Sequence, residues 1–189
     1  MHPMEPSPSP RARTSKDLTI PAMRVIKVSE FKLCSKSGLF IRTNICLFNS
    51  RSLRNKIPEI SSFVSTHQVQ IMAVSETQLG STIPDTSISL PNFQAPFRKD
   101  RNEFGGGVCI LVSNQLPCRR RAHLESRELE LIWIDILLTR KRSILLGCCY
   151  SPPSSTSDFY NKLESSLENV ADKDVILLGD FNAKHKQMV

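Results

Sequence analysis

The chain has 189 residues, with 25 Lys plus Arg against 18 Asp plus Glu, a formal net charge of +7 and 40% hydrophobic content. That is enough apolar material for one domain with a real core, while no run approaches the roughly 20 apolar residues of a membrane-spanning helix. No apolar stretch marks a secretory leader, and the six cysteines lack CxxC or Cys/His spacing, so reduced thiols and an intracellular protein are expected.

Residues 1–38 differ from the rest. MHPMEPSPSPRARTSK is rich in Pro, Ser and Arg and holds little to bury, so 1–38 is predicted to be a disordered tail, with the domain occupying 39–189. The excess charge lies early: through residue 60 there are eleven Lys plus Arg against four Asp plus Glu, and beyond it fourteen against fourteen. A basic tail favours any polyanion through counterion release, yet tails of this kind are more often simply solvated. Arg119, Arg120 and Arg121, and Arg140, Lys141 and Arg142, are compact clusters able to touch phosphate. They fit basic loops between strands better.

In chain order, residues 41–48 (IRTNICLF) alternate, with β-branched and aromatic content, toward a first strand that ends at Asn49. Ser50 or Ser52 can then cap an amphipathic helix in which Leu53, Ile57, Ile60, Phe63 and Val64 recur at helical spacing through about Thr66. Pro58 inside that pattern implies a kink or a late start. Residues 69–75 (VQIMAVS) read as a second strand, and strand, helix, strand is the parallel crossover unit. Glu76 stands directly past its end. A loop over 77–97 follows, and then RKDRNEFGGG (98–107) leads into a strand over 108–112. With no Lys-Ser/Thr or helix behind them, the glycines indicate a flexible hairpin or a close backbone approach rather than a phosphate loop.

Residues 128–138 and 143–150 are predicted to pair as a hairpin, with Asp135 a sheet-edge or salt-bridged carboxylate and Tyr150 closing the second strand. Thr156 or Ser157 can cap a helix carrying Phe159, Leu163, Leu167 and Val170. The run 175–178 is wholly apolar, which suits a strand buried on both faces, and Gly179, Asp180 and Asn182 follow it.

Four strand ends thus carry a polar group: Asn49, Glu76, Tyr150, and Asp180 with Asn182. Singly, each fits a turn residue, a surface acid or an aromatic cap. Ligands, however, bind just outside strand ends in sheets of this kind, so together these groups are expected to converge. The set suits phosphodiester hydrolysis. Glu76 is a hard oxygen ligand for Mg²⁺ or Mn²⁺, and Asp180 can orient or deprotonate the attacking water. Asn49 and Asn182 can position that water or the phosphate, and Tyr150 can hydrogen-bond the phosphate or the leaving oxygen.

The segments holding these residues resemble the endonuclease/exonuclease/phosphatase (deoxyribonuclease I-like) superfamily, in particular the apurinic-endonuclease-like domain that precedes the reverse transcriptase in non-LTR retrotransposons. They are NICLFNSRSLRNK (44–56), IMAVSETQL (71–79), FRKDRNEFGGGVCILV (97–112), LIWIDI (131–136), LLGCCYSPPSS (145–155) and VILLGDFNAKH (175–185), in family order. The resemblance implies an α/β fold, a four-layer sandwich of two packed mixed sheets, and Mg²⁺-dependent nicking of target-site duplex DNA in the nucleus, with no membrane partner. It makes Asn49 the first-motif Asn, Glu76 the metal-binding Glu, Tyr150 the phosphate-side Tyr, and Asp180 with Asn182 the water-activating Asp and its partner.

Two departures stand out. Arg51 occupies a place where many relatives carry an acid. The family's closing Ser-Asp-His segment is not found, so the fold is expected to be incomplete at its C-terminus, with exposed sheet edges and little or no nuclease activity in this chain alone; His185, three residues past Asn182, belongs to the turn. Two other readings use the same residues differently: a phosphomonoesterase or inositol-phosphate phosphatase of the same superfold, and a non-catalytic nucleic-acid-binding remnant working through the tail and the Arg clusters.

Overall fold

Most of the long strands are apolar at successive positions, and period two sorts those side chains onto two faces. The computed structural model describes residues 24–34, 40–137 and 142–182, with residues 24–34 and 40–42 described by backbone alone. The elements are β1 (Arg24–Cys34), β2 (Phe40–Asn49), α1 (Ile57–Thr66), β3 (Val69–Ser75), β4 (Phe97–Lys99), β5 (Val108–Val112), β6 (Cys118–Arg120), β7 (Glu130–Leu137), β8 (Ser143–Tyr150), α2 (Ser157–Glu168) and β9 (Val175–Asp180). They form a five-stranded sheet in the order β1-β2-β3-β5-β4 and a four-stranded sheet in the order β6-β7-β8-β9. Both are mixed, with β2–β3 and β8–β9 parallel and the remaining pairs antiparallel.

The two faces of each strand enter different cores. Ile45, Leu47, Ile71, Ala73, Val108 and Ile110 from the first sheet meet Ile132, Ile134, Leu146 and Cys148 from the second in one central cluster. The alternate residues Cys46, Phe48, Met72, Val74 and Leu111 pack outward with Ile60, Phe63 and Val64 of α1. Leu131, Trp133 and Leu145 pack outward with Leu163 of α2 and Val170. The result is the expected four-layer sandwich, helix on sheet on sheet on helix. No helix among the described residues is long and apolar enough to cross a membrane.

Several expectations need correction. The tail does not extend to residue 38, because Arg24–Cys34 forms a strand paired antiparallel with β2, with Leu33 opposite Ile41. Its Lys and Glu content resembles a solvated segment but also suits an edge strand, where charge discourages further pairing. Residues 1–23 lie outside the described residues. The first helix starts at Ile57, four residues later than its apolar spacing suggested, with Pro58 in its first turn, where a missing N–H costs nothing. Neither Ser50 nor Ser52 caps it. β9 is half-buried along its whole length rather than buried on both faces, since among the described residues only β8 pairs with it.

The basic clusters also resolve. Cys118–Arg120 is the edge strand β6, not a loop. Arg120 grips the buried Glu125 through two bonds of 2.9 and 2.8 Å. Asp135, 2% exposed, is salt-bridged: Arg121 Nε lies 2.6 Å from it, an ion pair whose N–H does not align as a hydrogen bond, and Arg119 lies at 3.8 Å. Arg142 faces Asp174 at 3.6 Å, while residues 138–141 are outside the described set. The described members of these clusters therefore hold acids of their own chain.

Backbone strain gathers at one end of the sheets. Among the described residues seven non-glycine positions have positive φ, and five of them are Arg51, Ser52, Glu76, Gln78 and Asn182. Continued alternation would send residue 76 to the α1 side with Met72 and Val74, but a φ of 53° at Glu76 reverses its direction. The surrounding backbone holds that turn: Ser52 and Leu53 donate to the carbonyls of Glu76 and Thr77 at 2.9 Å, and Thr77 and Gln78 donate to those of Gly107 and Gly106 at 3.2 and 2.9 Å. The glycines serve this close approach. Both have positive φ, and a Cβ on Gly107 would run into Thr77 Oγ1.

Two outcomes follow from this packing. Ile110, fully buried between the sheets, should cost about 2–5 kcal/mol on substitution by Ala in chemical denaturation, whereas Leu137→Ala, 36% exposed, should cost far less. At the left-handed position, Glu76→Gly should be more stable than Glu76→Ala by up to about 1 kcal/mol; the reverse order in the same measurement would mean that this turn carries no strain.

Candidate active site

Asn49, Tyr150 and Asp180 each prolong the central face of their own strand. The series are Ile45, Leu47, Asn49 on β2; Leu146, Cys148, Tyr150 on β8; and Ile176, Leu178, Asp180 on β9. Period two therefore carries all three side chains to the same end of the inter-sheet core. Register aligns them further, since Tyr150 is opposite Asp180 and Asn49 is opposite Ser75. A Cβ at Gly179 would collide with the Cys149 carbonyl, so glycine there lets β9 approach β8 closely enough to set that register.

The groups touch. Asn49 Nδ2 donates to Glu76 Oε1 at 2.8 Å and to Asp180 Oδ2 at 2.7 Å, bridging a carboxylate of the first sheet to one of the second. Asn49 is 8% exposed, and its Oδ1 accepts from Arg51 N at 3.2 Å, which orients the amide. Tyr150, 5% exposed, hydrogen-bonds the Glu76 carboxylate; burial first, then the charge of Glu76 and that hydrogen bond, push its hydroxyl up to about 12. At any ordinary pH it is a proton donor.

Asn182 joins differently. Its backbone N–H donates to Asp180 Oδ1 at 3.3 Å and its Nδ2 to the Ser151 carbonyl at 2.8 Å, while Ser151 N donates to the Asp180 carbonyl at 2.9 Å. The amide nitrogen of Asn182 thus ties the segment after β9 to the segment after β8 and holds Asp180 in place. All five residues singled out in the sequence are brought together: Asn49, Glu76, Tyr150 and Asp180 in one hydrogen-bonded group and Asn182 behind Asp180.

Two carboxylates held within hydrogen-bonding distance of one nitrogen repel each other, and a divalent cation relieves that repulsion. Glu76 with water and phosphate oxygens makes a donor set that fits Mg²⁺ or Mn²⁺, ions that take one or two protein carboxylates, with the Asp180 carboxylate beside it sharing the cation's charge. Among the described residues no cluster of three or more His, Cys, Asp or Glu forms a denser cage. The hydroxyls of Ser75, Thr77 and Ser151 are buried beside the strand ends without a hydrogen-bond partner, as expected where water or ligand completes a site. Sequence reasoning missed these hydroxyls and Glu130, which accepts from Gly107 N and Arg101. Their only signal was position beside a strand end. His67 packs its ring at a 46° tilt against Phe63 at the end of α1 and His123 lines a cleft against α2; His185 lies outside the described residues.

No family model matches the chain. A curated relative, the probable RNA-directed DNA polymerase from transposon X-element of Drosophila melanogaster, is 27% identical over 147 residues, which is 75% of this chain and 15% of that protein. Among solved structures, the endonuclease domain of TRAS1, a telomere-specific non-LTR retrotransposon, superposes with a TM-score of 0.57 at 18% identity, covering 74% of this chain and 59% of that one. The 3′-5′ exonuclease NExo from Neisseria meningitidis gives 0.55 at 15% identity, covering 73% and 57%. This chain therefore spans a small part of its curated relative and under two thirds of these solved domains. It has the endonuclease/exonuclease/phosphatase fold, and is similar in sequence to a transposon polymerase and in fold to the endonuclease domain of a non-LTR retrotransposon.

Proposed function

We propose that the chain is the catalytic portion of a divalent-metal-dependent DNA endonuclease of the non-LTR retrotransposon kind, nicking duplex DNA in the nucleus. The observation that carries this reading is the Asn49 amide bridging Glu76 and Asp180. Glu76 would hold Mg²⁺ or Mn²⁺, which when bound supplies charge compensation for the phosphate oxygens. Asp180 orients the attacking water and accepts its proton at Oδ2, the oxygen that Asn49 fixes. Tyr150 keeps its proton and donates a hydrogen bond through it to Glu76 or to a phosphate oxygen. Asn182 is a positioning residue for Asp180.

No His joins these groups among the described residues. A positioned general acid or base is worth about 10²–10⁴ in rate, so weak turnover is expected from the residues assembled here.

Supercoiled plasmid incubated with the chain and Mg²⁺ should be nicked slowly, and Glu76→Gln and Asp180→Asn should each lower that rate by about 100-fold or more. Mn²⁺ binding followed by water proton relaxation should weaken in the same variants. Nicking that survives both changes, or phosphate release from small monoesters with no nicking, would overturn the reading. A separate outcome concerns Tyr150. Because its hydroxyl is held up to about 12, the folded state retains a proton that the unfolded chain loses at its lower, ordinary pKa; the associated stabilisation is full below that ordinary value and disappears as pH rises toward 12. In a Tyr160→Phe background, tyrosinate absorbance should appear only near pH 12, and Glu76→Gln should move it downward.

A further inference from the structure

Phe104 is 87% exposed, against 36% and 39% for Leu137 and Tyr160, the other large hydrophobic residues exposed among those described. Its exposure is not that of a loose loop. Asn102 Oδ1 accepts from the backbone N–H of Phe104 at 3.0 Å and of Gly105 at 3.1 Å, and Arg101 Nε donates to the Gly105 carbonyl at 3.1 Å. Both sides of the turn are then tied to the catalytic end of the sheets. Arg101 pairs with Glu130 at 3.0 Å, and Glu130 is opposite Tyr150 in register. Glu103 pairs at 2.8 Å with Arg54, in the segment whose Leu53 bonds Thr77. Gly106 and Gly107, directly after the turn, accept from the residues that follow Glu76.

An aromatic ring exposed on a hydrogen-bonded turn, tied to the end of the sheets that holds Glu76 and Asp180, contributes nothing to the core. Arg51, exposed two residues past Asn49, has no ion pair among the described residues and is free to meet a phosphate, while Arg54 and Arg101 beside the turn are already paired with Glu103 and Glu130. Rigid aromatic side chains interleaved with cations are what nucleic-acid contacts require, the cations meeting phosphates and the ring meeting a base face. Apolar side chains also act as wedges between base pairs, at a cost set by how readily the step unstacks.

We infer that Phe104 is a DNA-contacting wedge, which rests on the nuclease reading above and assigns a substrate preference to it. The ring enters a base step beside the phosphate held at Glu76 and Asp180 and favours pyrimidine–purine steps, the easiest to unstack. The turn of Asn102 and the Arg101–Glu130 and Arg54–Glu103 pairs pre-organise it, so little ordering is left for the moment of binding.

Two duplexes of equal length, carrying 2-aminopurine at a central TA step or within a central A-tract, test this with the full chain. Wild type should bind both and raise fluorescence more at the TA step. Phe104→Ala, at a position too exposed to disturb folding, should bind roughly ten-fold more weakly and lose both the rise and the TA preference, with Phe104→Trp restoring them. Unchanged affinity and fluorescence in Phe104→Ala would overturn the inference alone, as would binding and nicking by wild type without any rise. Failure of wild type to bind either duplex would remove the nuclease reading and this inference with it.

Discussion

One amide nitrogen sits between two negative charges carried by different sheets. Asn49 belongs to the first sheet and Asp180 to the second, and the bonds of Asn49 Nδ2 to Glu76 and Asp180 close the inter-sheet core at its polar end. Everything that sets the site depends on that closure. The sheets must pack face to face for β2 to come near β9, and the central cluster of branched aliphatic residues holds them so. An amide suits the position because it donates without adding charge, leaving the two carboxylates as the anionic partners for a cation or a proton.

The turn at Glu76 is the second constraint. A left-handed glutamate costs roughly 1–2 kcal/mol, and it persists because segments 50–53 and 106–107 bond the backbone on either side. Strain and catalytic candidates coincide here: Arg51 and Ser52 follow Asn49, Gln78 follows Glu76, and Asn182 follows Asp180. Strain of this kind survives only where neighbouring contacts overdetermine it. The glycine run at 105–107 therefore belongs to the site's scaffold, because only residues without a side chain permit the approach of Thr77 and Glu130.

The distribution of charge takes a different meaning in three dimensions. Arg120, Arg121 and Arg142 face Glu125, Asp135 and Asp174, so those basic positions stabilise the second sheet and its margins. At the end of the sheets where Asn49, Glu76 and Asp180 meet, Arg54 and Arg101 are likewise paired, with Glu103 and Glu130, and Arg51 is the basic residue there without an ion pair among those described. Clusters were the visible signal, yet adjacency along a chain places successive side chains on opposite faces of a strand, and the pairing partners decide what each one does.

Sequence alone determined the order of β2, α1, β3, β5, β7, β8, α2 and β9, because alternation and helical spacing over longer runs are local properties that survive any packing, while the edge strands β1, β4 and β6 were not read from it. It also singled out Asn49, Glu76, Tyr150, Asp180 and Asn182, since a polar group at the end of an apolar run is visible without coordinates. The misreadings came where local composition competes with pairing: a Lys-bearing edge strand at Arg24–Cys34 looked like tail, and an all-apolar β9 looked doubly covered. Only the tertiary structure decided that Glu76 turns back toward Asn49, that Asn182 holds Asp180 through Ser151, and that Phe104 stands exposed on a turn tied to Arg54 and Glu130. Those facts depend on hydrogen bonds between residues up to 131 positions apart, and no local pattern encodes a partner that distant.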